Sequence, residues 1–191
     1  IKIGKNNSKI FYFENNSLKF EYEFSFGTNT VIKDISKITS LKMETVNEIL
    51  DKVDFNRNIL EDEIIEKKLF NDEPFRKIKK KLIYDIALAR IKEISEIILF
   101  KNINFLHYTT YSKNVFLDVE NELQRKSFKE IYKTSFSNEN SCNLNFLKNL
   151  PASSMIGTAN KLVHFGWKKE AIPIFKSKKS LIARFFDTIF G

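Results

Sequence analysis

The chain has 191 residues, of which 42% are hydrophobic and 29% are charged, and this composition predicts a globular protein of one domain with at most a small appendage. Five glycines and three prolines are few, which argues against a loop-rich all-β fold and against disorder. The single cysteine, Cys142, excludes an internal disulfide and a cysteine-based zinc site, and it favours a reducing compartment, the cytoplasm.

The net charge of +8 is concentrated in the second half of the chain. Residues 1–100 hold 18 Lys and Arg against 17 Asp and Glu, whereas residues 101–191 hold 14 against 7. An excess of this kind indicates either an anionic partner, such as nucleic acid, a membrane surface or an acidic protein, or a well-solvated surface. No stretch approaches about 18 consecutive apolar residues, so the sequence predicts no transmembrane helix.

The N-terminus is predicted to form β-strands. In "SLKFEYEFSF", residues 17–26, apolar and polar side chains alternate without interruption, which is typical of a half-buried strand. The segment "KIFYFE" precedes it, and Asn15-Asn16 between them can form the tight turn of a hairpin. A third short strand is predicted for "TVIKDI", residues 30–35.

Most of the remaining chain is predicted to be helical from the spacing of its apolar residues and from cap residues. The helix that starts at Pro74 is apolar on more than one side, which is typical of a helix at the centre of its domain. A further strand is predicted over residues 102–112. The predicted helices cover residues 41–53 after a Ser40 cap, about 57–70, Pro74 to about Phe100, 114–135 after an Asn114 cap, and about 152–165, 167–175 and 178–190.

These elements predict a mainly helical α+β fold, with an N-terminal antiparallel β-hairpin or small sheet followed by a helical bundle. The polar segment around 137–143 is the expected boundary between an α+β domain, residues 1–136, and a helical C-terminal appendage, residues 144–191. Within the appendage, "ANKLVHFGWKKEAIPIF" (159–175) resembles half of a tetratricopeptide repeat in the spacing of Gly166, Ala171 and Phe175. The resemblance covers one hairpin, without a second copy 34 residues away, and it implies a helix–turn–helix there.

No motif in the sequence predicts an enzyme. His107 and His164 have no local partners, and the five glycines are too scattered to form a phosphate-binding loop. The run Asp118 to Lys126 contains three carboxylates and a lysine, the residue types of a metal-dependent nuclease. These carboxylates would line one face if the run were a strand, whereas a helix would make them ordinary surface pairs. The sequence therefore predicts no catalytic residue, no metal and no cofactor.

Lysine runs provide the candidate contacts with nucleic acid. Lys77, Lys80 and Lys81 are predicted on the outer side of the central helix, and Lys168 and Lys169 lie in the appendage. Lysines with aromatic residues between them can follow a phosphate backbone and stack bases. Arg is scarce in these runs, which argues against base-specific recognition, and a solvated helix face explains the lysines equally.

The C-terminal stretch "KSKKSLIARFFDTIFG", residues 176–191, is predicted to be an amphipathic helix that follows a basic hinge. Such a helix can close the core of its own domain, dock on a protein partner or a second copy, or lie on an anionic membrane. The candidate contact residues of this tail helix are Lys176, Lys178, Lys179, Leu181, Ile182, Phe185, Phe186, Ile189 and Phe190.

The sequence thus predicts a non-enzymatic interaction module. It would dock on a larger protein assembly or an anionic surface through its basic C-terminal half and tail helix. Backbone-directed nucleic-acid binding and metal-dependent phosphodiester hydrolysis are the two alternatives.

Overall fold

The computed structural model describes residues 1–14, 17–55, 62–70, 72–102, 113–137 and 142–147. The chain divides into two compact units, one of residues 1–12 and 18–149 and the other of residues 13–17 and 150–191. Nearly all described residues therefore belong to the first unit.

The first unit combines a five-stranded sheet with helices, so the predicted α+β class is confirmed. The strands are β1 (Lys2–Ile3), β2 (Ser8–Glu14), β3 (Ser17–Phe24), β4 (Lys113–Val119) and β5 (Cys142–Phe146). The α-helices are α1 (Thr28–Thr39), α2 (Met43–Lys52), α3 (Lys80–Ser95), α4 (Glu122–Ser127) and α5 (Lys129–Ser137). A short 3-10 turn covers Lys67–Leu69, and a π-helical turn, Glu96–Phe100, continues α3.

The sheet is mixed, with the strand order β3-β2-β1-β4-β5. Strand β1 pairs antiparallel with β2 and parallel with β4, where Lys2 is opposite Asp118 and Ile3 is opposite Val119. Strand β5 pairs parallel with β4. Because α4 and α5 lie between these two parallel strands in the sequence, the segment 113–146 has the order of a β-α-β unit.

One face of the sheet packs on the helices and the other is exposed. Alternate residues of β4, namely Val115, Leu117 and Val119, are buried, whereas Asn114 and Phe116 are exposed. Strand β3 follows the same rule, since its phenylalanines pack against the core and its lysine and glutamates are exposed. The predicted half-buried strand at 17–26 is therefore confirmed over Ser17–Phe24.

Helix α3 contacts both α1 and α5, in agreement with the central place that its sequence predicts. Its buried residues lie on one broad face, whereas Leu82, Asp85 and Lys92 on the opposite side are exposed. Arg90 of α3 donates a hydrogen bond from Nε to Asp34 of α1, and this contact raises the pKa of Arg90. The core residues that α3 contributes are Ile83, Ile86, Ala87, Ile91 and Ile94.

The loop after β1 holds the start of α1. The backbone N–H groups of Thr28 and Asn29 donate to the carbonyl oxygens of Gly4 and Lys5, at 2.9 Å each. A Cβ atom on Gly27 would lie 2.3 Å from the Gly4 carbonyl oxygen, so a larger residue would separate the loop from the helix. These contacts supply acceptors to N–H groups that a helix end leaves unpaired.

Residues 72–79, which we call the strap, hold the connection between α1 and α2. Glu73 accepts hydrogen bonds from the backbone N–H of Lys42 at 2.9 Å and from the Thr45 hydroxyl, at the start of α2. Arg76 donates to the carbonyl oxygens of Thr39 and Ser40, at 3.2 and 2.8 Å, at the end of α1. A carboxylate at a helix start and a guanidinium at a helix end both complement the helix dipole.

Several predicted elements are wrong in type or position. The segment "TVIKDI" belongs to helix α1 and is not a strand. The central helix begins at Lys80 and not at Pro74, because the chain before it makes a β-bridge between Lys79 and Ile64. The predicted helix over 114–135 is strand β4 followed by α4 and α5.

Other predictions hold in part. The helix predicted at 41–53 is α2, although Ser40 is the left-handed residue after α1, with φ of 55°, and does not cap α2. The helix predicted over about 57–70 is wrong for the described part, which contains the Ile64 bridge and the 3-10 turn.

Strands β2 and β3 are neighbours in the sheet, while Asn15 and Asn16 of the predicted turn lie outside the described residues. Strand β5, Cys142–Phe146, includes the first residues of the predicted appendage, 144–191, whose helices are predicted only from about residue 152. The domain boundary itself stays a prediction. No described helix is both long and apolar enough to cross a bilayer.

Candidate functional site

The lysine run at the start of α3 meets an acidic run that precedes it in the chain. Lys79 Nζ lies 3.0 Å from Asp62 Oδ1, and Lys80 Nζ lies 2.7 Å from Glu63 Oε2. The backbone brings the two runs together, because Lys80 N–H donates to the Glu63 carbonyl at 2.8 Å and Ile65 N–H donates to the Ile78 carbonyl at 2.9 Å. The sequence prediction placed both runs on helix surfaces and missed this contact.

The remaining lysines of the run differ from each other. Lys81 Nζ lies 3.4 Å from Asp85 Oδ1, one turn further along α3. Lys77 is exposed and makes no ion pair with any residue that the structure describes. Of the predicted nucleic-acid contacts in this run, Lys80 and Lys81 thus have an acidic partner and Lys77 has none within the described segments. Pairing of this kind lowers the positive potential that a phosphate backbone would meet.

The carboxylates of the predicted nuclease run do not gather. Asp118 lies on strand β4, opposite Lys2 of β1, and Glu120 is the first residue after the end of β4. Glu122 begins helix α4, where it pairs with Arg125 at 3.4 Å. In the described parts of the chain, no three His, Cys, Asp or Glu side chains are placed to share a metal ion. The strand that would align these carboxylates exists, but it ends before Glu122.

The exposed face of β2 and β3 carries a second set of paired charges. Lys9 Nζ lies 3.0 Å from Glu23 and 3.6 Å from Glu21, and Asn7 donates a further hydrogen bond to Glu23. These contacts lower the pKa of Glu23, first through the bond from Lys9 and then through that from Asn7, and they raise the pKa of Lys9. The cluster therefore holds two carboxylates against one lysine, and Lys9 lies closer to Glu23 than to Glu21.

Charge is divided unequally between the described residues and the C-terminal segment. The described residues contain 23 Lys and Arg against 20 Asp and Glu, whereas residues 148–191 contain 8 against 2. The described fold is nearly neutral, and many of its lysines lie in ion pairs. Most of the net charge of +8 belongs to residues outside the described segments.

A pocket of about 530 Å³ lies beside the π-helical turn, between the end of α3 and α5. Its wall combines apolar Leu88 and Phe100 with the hydroxyl groups of Ser95 and Thr134. Glu96 also lines it, and the bond from Lys101 at 2.8 Å lowers the pKa of Glu96. Short π-helical turns are frequent at functional sites, but these groups indicate no particular reaction.

The other predicted contact residues lie outside the described residues, so their positions stay predictions. They are Lys168, Lys169, Lys176, Lys178, Lys179, Leu181, Ile182, Phe185, Phe186, Ile189 and Phe190, and His107 and His164 are also outside. Neither a protein-family model nor a curated protein sequence matches this chain.

Proposed function

We propose that the protein is a non-enzymatic interaction module of the cytoplasm that binds an anionic surface through its basic C-terminal segment and tail helix. The surface would belong to a larger protein assembly or to a membrane. The observation that supports this proposal is the unequal division of charge. The described residues contain nearly as many Asp and Glu as Lys and Arg, whereas residues 148–191 hold four times as many Lys and Arg as Asp and Glu.

The tail combines the two properties that surface binding requires. Three lysines precede its apolar residues, and each lysine near an anionic surface contributes about 1 kcal/mol of attraction. The apolar residues of an amphipathic helix add burial in the interface of a membrane or in a groove on a protein. Charge alone would give weak, salt-sensitive binding, and apolar burial alone would lack a preference for anions.

The test is binding of the full chain and of a chain without residues 177–191 to lipid vesicles, with and without phosphatidylserine. We expect the full chain to sediment with the anionic vesicles only, and the shortened chain to stay in solution. Thermal unfolding of both chains is the control, and we expect equal Tm values because the described fold has its own core.

Two outcomes would contradict the proposal. Collapse of the thermal transition in the shortened chain would mean that the tail completes the core. Undiminished vesicle binding by the shortened chain would assign the binding surface to another part of the molecule. Binding to an acidic polypeptide but not to vesicles would assign the surface to a protein partner.

The two alternative functions have less support from the described residues. Backbone-directed nucleic-acid binding would weaken steeply as salt rises, and absence of binding at low salt would end it. Lys80 and Lys81 already have acidic partners, which reduces the positive surface available to phosphates. Metal-dependent hydrolysis would be lost in Asp118→Ala, and full cleavage by that variant would end this alternative.

A further inference from the structure

Strand β3 lies at one end of the sheet, so its outer edge has no neighbouring strand among the residues that the structure describes. Backbone N–H and C=O groups on such an edge are available to pair with another strand. The side chains of Leu18 and Tyr22 on this strand are 48% and 49% exposed. An edge with exposed apolar side chains is a suitable surface for the addition of a strand from another chain.

The apolar side chains of this edge are held in place from within the fold. Phe20 stacks on Tyr12 of β2 with ring centroids 5.5 Å apart. The ring of Tyr22 meets that of Phe24 edge to face, with centroids 4.8 Å apart. Because these rings are already ordered, a second strand that pairs here would lose little additional side-chain freedom.

The charged side chains on the opposite face of β3 are incompletely paired. Lys19 is exposed and forms no ion pair with the described parts of the chain. Glu21 is 46% exposed and lies 3.6 Å from Lys9, which lies closer to Glu23, at 3.0 Å. Lys19 and Glu21 therefore both have room for a partner of opposite charge.

We propose that β3 pairs antiparallel with β3 of a second copy of the chain, in a register centred on Phe20. A two-fold axis through this register places Leu18 opposite Tyr22 of the second copy and Lys19 opposite its Glu21. Each of these contacts occurs twice, as in any isologous interface. In this register the exposed apolar side chains of Leu18 and Tyr22 lie opposite each other. The incompletely paired charges of Lys19 and Glu21 also lie opposite each other.

Neighbouring registers lack this match. A two-fold axis perpendicular to the sheet keeps the side chains of one face of β3 on the same face of the combined sheet. The axis therefore passes between one residue of β3 and the same residue of the second copy. Centring the pair on Lys19 or on Glu21 brings two like charges directly opposite each other, which destabilises a strand pair. Centring it on Tyr22 places Glu21 opposite Glu23. The proposal uses a surface outside the C-terminal segment and does not depend on the proposed function.

The register is tested by disulfide trapping with the full-length chain. Two chains are made, Leu18→Cys and Tyr22→Cys, each with Cys142→Ser to remove the native thiol. Directly opposite residues in an antiparallel pair have Cα atoms about 4.5–5.5 Å apart, within the range that a disulfide spans. We expect a mixture of the two chains to form a disulfide-linked dimer under mild oxidation, and each chain alone to remain largely monomeric.

A charge exchange gives a second test that leaves the apolar residues intact. Lys19→Glu and Glu21→Lys each place like charges opposite each other, and we expect each to raise the dimer dissociation constant at least tenfold. The double variant restores both pairs and should recover most of the dimer. Sedimentation of the unmodified chain should give twice the mass of 22.5 kDa at high concentration.

Three results would overturn the proposal. They are a monomer at about 1 mM, equal cross-linking of each single-cysteine chain with itself, and no recovery in the double variant. Circular dichroism of each variant separates loss of the dimer from loss of the fold. The same cross-linking in a chain without residues 177–191 would show that self-pairing is independent of the tail.

Discussion

The two main lysine runs of the chain resemble each other in sequence but differ in the acidic residues available to them. The run at 77–81 faces Asp62, Glu63 and Asp85, and its backbone is bound to the acidic run at 62–65. The lysines at 168–179 belong to a segment that contains only Glu170 and Asp187 as acids. A run of lysines therefore indicates an anion-binding surface only when the rest of the fold does not already neutralise it.

The largest effect is expected from removing charge in the C-terminal lysine run. Lys176, Lys178 and Lys179 together contribute about 3 kcal/mol at an anionic surface, so their replacement by Gln should weaken vesicle binding roughly 100-fold. The matched control replaces Lys79, Lys80 and Lys81 by Gln, which should change binding little. Vesicle titration measures both, and equal losses in the two variants would remove the distinction between the runs.

A change inside the described fold should affect stability without affecting binding. Gln124 is fully buried, donates to the Thr28 carbonyl at 2.8 Å and lies 3.3 Å from the Tyr132 hydroxyl. Gln124→Leu leaves both groups without this partner, and we expect a loss of about 1–3 kcal/mol in the free energy of unfolding. Urea denaturation measures it, and an accompanying loss of vesicle binding would contradict separate roles for the fold and the segment.

Removing the acidic partners of the lysines at 77–81 should make this run bind anions as we expect the C-terminal lysine run to do. Asp62→Asn with Glu63→Gln removes the partners of Lys79 and Lys80 and keeps the side-chain size. We expect vesicle binding to rise by up to about 30-fold, because two lysines become available at about 1 kcal/mol each. If vesicle binding is unchanged, neutralisation by Asp62 and Glu63 does not explain a difference in anion binding between the two lysine runs.

The smallest effect is expected from the strap. Hydrogen bonds from Thr45 and the Lys42 amide lower the pKa of Glu73 below its ordinary value of 4.5. The folded state then binds fewer protons than the unfolded state, so this stabilisation is complete above pH 4.5 and is lost as pH falls through the folded pKa. Glu73→Gln should lower Tm by no more than about 2 °C at pH 7. The difference from the unmodified chain should shrink below pH 4, and a constant difference would contradict this role.

The sequence predicts the elements whose signal is local and uninterrupted. Alternation over residues 17–26 predicts β3, and apolar residues on more than one side of the central helix predict a central place for α3, which contacts both α1 and α5. It fails for β4, because Phe116 interrupts the alternation of Val115, Leu117 and Val119 with polar residues, and Leu123 and Phe128 extend a competing helical spacing. The Pro74 start signal is also misleading, because the strap is held by contacts with α1 and α2 that no local pattern records.

The candidate site is less predictable, because it also depends on contacts between residues that are distant in the sequence. The sequence identifies Lys77, Lys80 and Lys81 as a basic run, but the pairing of Lys80 with Glu63 depends on a chain reversal that brings residues 62–65 beside residues 78–80. The sequence signal for this pairing is the acidic run at 62–65 and the lysine run at 77–81, which lie on either side of a turn-forming segment. Self-complementarity of β3 is visible in the sequence, but its significance depends on the place of β3 at the end of the sheet.

The pairing of β1 with β4 has a consequence for the order of folding. Strand β1 lies beside β4, where the N–H groups of Asp118 and Glu120 donate to the carbonyl oxygens of Ile1 and Ile3. It thus joins the two halves of the sheet across more than a hundred residues. During synthesis, β1, β2 and β3 leave the ribosome long before β4, and the edge of β1 that β4 will cover stays open until β4 emerges. We expect the pairing of β1 with β4 to form late and to limit the folding rate, because contacts between distant residues close slowly.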